Sequence, residues 1–323
     1  MMEENFFRII FIIFILFVPL VIGYRVKKSG ILQDLDSIST SIITLLTKLA
    51  APLIILFAFW KLDLSHISIF TLPIIGIMVS TLALIPAAFF AKLHKLNHKQ
   101  TGSFLTSAMF SNIGYTLGGF IAFVLYGEAG FSLTILYCLY FRPYFYTIGF
   151  YIGENYSTKE RIKIKDNLKK VFTEGIRLFP LLGIVGGIIL NFLSIPRPNF
   201  ISLLNRFLIP IATFGYMFAI GMTLKFSLIK RFKALLFSMS FIKFVWSPLV
   251  GLSLAYLLGY YTLMDGLPFK IVLIEASMPV AISSLLIPAL FNLDQDISNS
   301  CWLFTTLLII PLLPVLLWIL SIL

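Results

Sequence analysis

Apolar residues run along this chain in long unbroken blocks, separated by short polar or charged connections. The blocks do not alternate residue by residue, which argues against a transmembrane β-barrel. A helix needs about 20 apolar residues to cross a bilayer. Ten stretches meet that need: Asn5–Tyr24, Ser37–Trp60, Ile67–Lys92, Phe104–Tyr126, Gly130–Gly153, Arg177–Leu193, Phe200–Phe226, Ala234–Tyr260, Pro268–Phe291 and Ser298–Leu323. The pattern predicts an all-α membrane protein with ten transmembrane helices.

Two stretches break the pattern from within. "FSNIGYTLGGF" in the fourth places Ser111, Asn112, Gly114, Thr116, Gly118 and Gly119 where lipid is expected. "EASMPVAISS" in the ninth holds Glu275, Met278 and Pro279, and the proline removes a backbone donor. Irregular backbone at membrane depth survives only where protein or a water-filled cavity satisfies its polar groups. Both spans are therefore expected to be broken, the fourth through glycine flexibility.

The prolines suggest a duplication. Pro19 and Pro180, Pro52 and Pro210, Pro86 and Pro248, and Pro143 and Pro311 each carry a span onto the one five later. Five is odd, so the second copy lies inverted. Residues 1–153 form the first repeat, 154–176 a cytoplasmic linker and 177–323 the second repeat. Inverted repeats with broken helices near the midplane are the usual build of secondary transporters.

Composition and charge agree. The chain of 323 residues is 59% hydrophobic and 12% charged, against about 25% charged for a soluble domain. Lys and Arg outnumber Asp and Glu by 25 to 14. The excess sits after spans 1, 3, 5 and 7, in "RVKK", "KLHKLNHK", "KERIKIKDNLKK" and "KFSLIKRFK". Such loops face the cytoplasm, so the bases report topology and no nucleic acid is expected. Both termini then lie outside, and the expected location is the cytoplasmic (inner) membrane of a bacterium. The first run follows "MMEEN", lacks a signal peptide's basic flank and cleavage site, and reads as a retained span. "TKERIKIKDNLKKVFTEG" reads as an amphipathic segment lying on the membrane surface.

At "IGYRVKKSGIL", the Pro52 region, the span-4 Asn-Gly stretch, "ASMPVAIS" and "TTLLIIPLLPVLLWIL", the chain resembles the auxin efflux carrier family over nearly its whole length. The resemblance implies two inverted five-helix repeats with helices 4 and 9 crossing at their breaks. It also implies a scaffold of spans 1, 2, 6 and 7 beside a transport domain of spans 3, 4, 5, 8, 9 and 10, working by elevator-type alternating access. Family members commonly carry Asn-x-Gly-x-x-Gly-x-Pro in span 4; here Asn112, Gly114, Gly118 and Gly119 stand without the proline. A more distant similarity, to bile acid/sodium symporters, implies a sodium site at Ser111, Asn112 and Glu275.

An ionisable group inside a span costs about 3 kcal/mol to insert and is a functional candidate by default. Glu275 is expected to bind sodium, carry a proton, or neutralise Arg142 or Lys243. Arg142 in "YFRPYF" can grip a carboxylate through two hydrogen bonds or pair with Glu275. Lys243 in "FIKFVWSPL" reads as structural, snorkelling toward a basic loop; Lys48 has no assigned role. Asn112 can hydrate an ion or a substrate. With Gly114, Thr116, Arg142, Met278 and Pro279 it makes up the expected substrate set, since freed half-helix amides also attract anions. The expected cargo is a small organic anion such as a carboxylate. Besides the lipid bilayer, a homodimer is the one protein partner considered. Sodium is the favoured coupling ion, a proton or no coupling the alternatives, and no other cofactor is expected.

Other classes fit less well. His66, His94 and His98 lie at loops or span ends without His-Glu-x-x-His, and Gly-x-Ser-x-Gly is absent. Cys138 and Cys301 lie in apolar runs and suggest neither a disulfide framework nor a metal site. An enzyme is not expected; a channel, or a sensor of the same fold, is the rival reading.

Overall fold

The computed structural model describes residues 2–114, 116–157, 179–224 and 232–323. Among these every regular element is a helix, and one isolated antiparallel bridge joins Ser111 and Val280. Seven helices among the described residues are long and apolar enough to cross a membrane: Phe6–Ser29, Leu35–Phe59, Ile67–Leu93, Gly118–Asn155, Asn199–Thr223, Lys233–Leu257 and Gln295–Ile322. A shorter apolar helix spans Phe179–Phe192. The protein is a multi-pass membrane protein.

Length and hydropathy return seven rather than ten for physical reasons. The fourth expected span is cut into His98–Met109 and a piece that starts at Gly118. That second piece turns at Gly127 (φ 63°, ψ −151°) and runs on into the fifth, so Gly118–Asn155 extends over 38 residues. The ninth is cut into Leu267–Ala276 and Leu286–Leu290. The surface segment expected at 158–175, the start of span 6 and most of the "KFSLIKRFK" loop lie outside the described residues.

Prolines widen several helices instead of ending them. A proline ring clashes with the carbonyl four residues back. The π turns Leu46–Ala50 and Ile242–Trp246 include the carbonyls of Lys48 and Phe244, four residues before Pro52 and Pro248. A third π turn, Phe145–Gly149, follows Pro143.

The chain divides into two units. The first comprises Met1–Ile67, Gly114–Ile135 and Phe172–Leu224. Inside it, helices meet backbone to backbone through glycine, as membrane helices do when small residues line the contact. A Cβ on Gly23 would lie 2.2 Å from the Phe218 carbonyl oxygen, and one on Gly221 2.3 Å from that of Leu20. The same device joins Phe179–Phe192 to Ala51–Phe59: a Cβ on Gly183 would lie 2.4 Å from the Pro52 oxygen.

The second unit comprises Ser68–Ile113, Leu136–Val171 and Lys225–Leu323. Its aromatic core gathers Phe110, Phe145, Tyr146, Phe150 and Phe291 with Met109 and Ile287. Gly149 and Gly153 let Phe110, Ile287 and Phe291 close in: a Cβ on Gly149 would sit 2.8 Å from the Phe110 ring, and one on Gly153 2.6 Å from Ile287 and from Phe291. This packing holds the broken ends of the fourth and ninth spans together.

Candidate functional site

The break in the fourth span begins where His98–Met109 stops. Phe110 turns to extended backbone (φ −103°, ψ 126°). Ala281, at the far side of the other break, is also extended (φ −67°, ψ 137°). Extended residues from two segments can pair like strands, and they do. The Ala281 N–H donates to the Phe110 carbonyl at 2.9 Å, and the Asn112 N–H donates to the Pro279 carbonyl at 2.7 Å. The Val280 N–H donates to Thr305 Oγ1 at 3.1 Å. Backbone groups freed by the breaks are thereby satisfied inside the protein, as membrane depth demands.

Further along, Gly114 takes φ +85°, a conformation that glycine adopts without strain. The Gly119 N–H reaches back to the Gly114 carbonyl at 2.5 Å. A Cβ on Gly119 would lie 2.7 Å from that oxygen, so the tight restart of helix needs glycine there. Gly118 opens the new helix.

Several expected site residues meet at this crossing. Ser111, Asn112, Met278, Pro279 and Val280 belong to it, with Asn112, Met278 and Val280 buried. Glu275 is fully buried in the last turn of Leu267–Ala276, just before the break, and the Cys138 thiol points at its Oε2 from 4.0 Å. Gly114 and Thr116 fall with the first unit.

Arg142 lies between Phe141 and Tyr144, whose rings pack edge-on against Phe110 with centroids 5.5 and 6.3 Å apart. Its side chain is half-buried and, among the described residues, makes no hydrogen bond or ion pair. The pairing with Glu275 considered from the sequence is thus not formed. Lys243 departs further from expectation. It does not snorkel to a loop; it is fully buried and donates to Ala108 O at 2.7 Å, Phe110 O at 3.0 Å and Ser111 Oγ at 3.0 Å. Its reach to the crossing has no mark in the sequence beyond an unexplained base in an apolar run. Lys48 is half-buried in the π turn of the first unit.

A second buried cluster, in the first unit, was not among the expected sites. Arg197 pairs with Glu128 at 2.6 Å and donates to the Phe57 carbonyl and to Ser202. Asn205 donates to Glu128 Oε1 at 2.7 Å. The only hint was an acid and a base in the short connections beside spans 5 and 7. Among the described residues, no group of three His, Cys, Asp or Glu side chains is placed to hold a metal.

Spanning helices interrupted by a crossing of satisfied backbone are a build that many secondary transporters share. A family model described as membrane transport protein matches residues 8–318, and the chain belongs to this family, of the auxin efflux carrier type. The chain is 25% identical over 301 residues to an uncharacterized transporter of Methanothermobacter thermautotrophicus, covering 92% of this chain and 93% of that one. It is 23% identical over 312 residues to an uncharacterized transporter of Methanocaldococcus jannaschii, covering 95% of this chain and 96% of the relative. The family is one of transporters, not an enzyme class.

Proposed function

We propose that the protein is a secondary carrier for a small organic anion of the carboxylate type, working by elevator-type alternating access in the cytoplasmic membrane with both termini outside. The observation that carries this reading is the crossing at Phe110–Asn112 and Pro279–Ala281, with Arg142 on the helical segment whose Phe141 and Tyr144 rings pack on Phe110 and with no hydrogen bond or ion pair of its own among the described residues. A planar guanidinium matches a carboxylate with two parallel hydrogen bonds. Asn112, Met278 and Pro279 would complete the substrate set within the second unit; Gly114 and Thr116, also expected in the set, fall in the first.

In this reading the ten spans form two inverted five-helix repeats. The two-unit division supports a scaffold of spans 1, 2, 6 and 7, because all four contribute to the first unit. Residues Gly114–Ile135 also fall there, so the boundary cuts through spans 4 and 5. Coupling is assigned to Glu275, buried beside the break. With Asn112 it could hold sodium or carry a proton; Ser111, the third residue of the sodium set, already accepts from Lys243, which favours a sodium-independent second reading.

The test is uptake of labelled carboxylates into proteoliposomes under imposed ion gradients. Glu275→Gln is expected to remove gradient-driven uptake while the protein still folds. Unchanged stimulation by the gradient would refute the role given to Glu275.

A further inference from the structure

Lys243 is fully buried in the π turn Ile242–Trp246, and its ammonium reaches the C-terminal end of the half-helix His98–Met109. An ammonium has three N–H donors and no acceptor. Ala108 O, Phe110 O and Ser111 Oγ are three acceptors, all at 2.7–3.0 Å. Among the described residues, no carboxylate forms a salt bridge with it. Its charge faces the carbonyl end of a 12-residue helix, which carries partial negative charge and oxygens with no N–H four residues on.

Two carbonyl oxygens and a hydroxyl converging on one point are the donors that a small hard cation prefers. Here a side chain supplies that cation. We propose that Lys243 is a tethered cation, its ammonium filling the seat at the end of His98–Met109 that would otherwise take a sodium ion. The crossing is then charge-balanced with no metal at Ser111, and a cation on its own stem cannot leave with the cargo. Phe110 O shows how closely the two roles are joined, because it accepts from both Lys243 and the Ala281 N–H of the crossing. The consequence for transport, uptake that ignores sodium at Ser111, rests on the carrier reading above; the occupied seat does not.

The experiment compares melting temperatures of the purified full chain in sodium, potassium and choline chloride at equal ionic strength. Wild type, Lys243→Ala and Lys243→Met are measured, with methylammonium chloride as an added arm. Wild type is expected to show no sodium-specific shift. Lys243→Ala should melt several degrees lower in choline and regain part of the loss with sodium or methylammonium, since a bound cation stabilises the folded state. A lysine that merely packs would not create a cation response on removal. A sodium-specific rise in wild type that persists in Glu275→Gln overturns the proposal. So does a Lys243→Met protein that melts like wild type in choline, because the charge would then be unnecessary. If Lys243→Ala does not fold, the wild-type titration and Lys243→Met decide between them. Failure of carboxylate uptake, measured separately, would undo the carrier reading and leave these melting results standing.

Discussion

The backbone N–H of Asn112 donates to the carbonyl oxygen of Pro279 across 2.7 Å. Proline has no N–H of its own, so at this position it contributes only an acceptor. Asn112 joins the crossing through its backbone. The residue expected to touch an ion or a substrate thus has its position set by a main-chain hydrogen bond.

Glycine at two places in the first break should be irreplaceable. Gly114→Ala forces a side chain into φ +85° and is expected to cost about 1–2 kcal/mol. Gly119→Ala should cost at least as much, because its Cβ would meet a backbone oxygen at 2.7 Å and backbone cannot swing aside. Thermal unfolding in detergent checks both; unchanged melting of either variant would count against the geometry described for that turn.

Thr305→Val keeps nearly the same shape but removes the acceptor of the buried Val280 N–H. A buried donor left unmade costs about 1–3 kcal/mol, so this variant is expected to melt lower. Thr305→Ser retains the hydroxyl and should recover most of the loss.

In the first unit, Glu128 and Arg197 are 14% and 7% exposed and hydrogen-bonded on several sides. Removing one partner of such a pair strands the other charge, at a cost of about 3–5 kcal/mol. Glu128→Gln and Arg197→Met are each expected to destabilise strongly, and the double variant by less than the sum. Denaturation of the four proteins in a double-mutant cycle measures that coupling; simple additivity would show the pair to be uncoupled.

Arg142→Ala breaks no contact seen among the described residues. It should leave the melting temperature near wild type while weakening carboxylate binding about tenfold or more, the loss of a charge-assisted hydrogen bond. Arg142→Lys, which keeps the charge and loses the fork, is expected to fall between. Isothermal titration with carboxylate and neutral analogues reads the difference; an equal loss for both kinds of ligand would remove Arg142 from the anion site.

The breaks were legible in the sequence because Gly114, Asn112 and Pro279 are poor helix residues set in apolar runs, where nothing else explains them. Helix boundaries around them were less so. Hydropathy averages over a window, and it could not show that Gly118–Asn155 reads as one long element turning at Gly127. The partners of charged residues were hidden for another reason. Lys243 meets oxygens 132 to 135 residues away in the chain, and Arg197 meets an acid 69 residues away. A local reading sent Lys243 toward the nearest basic loop, since a stem of four methylenes allows that as easily as it allows the crossing. Arg142 was legible as a candidate but not as a residue without a hydrogen bond or ion pair among the described residues.

The π turn at Ile242–Trp246 has a consequence for how Lys243 is aimed. A helix advances by about 100° per residue, so a widened turn shifts the phase of everything upstream relative to everything downstream. Deleting one residue there would restore ordinary pitch and swing the ammonium about a quarter of the way around the helix axis, away from Ala108 and Ser111. The direction of this lysine is therefore set by the proline a few positions later, which forces the wide turn, as much as by the lysine itself.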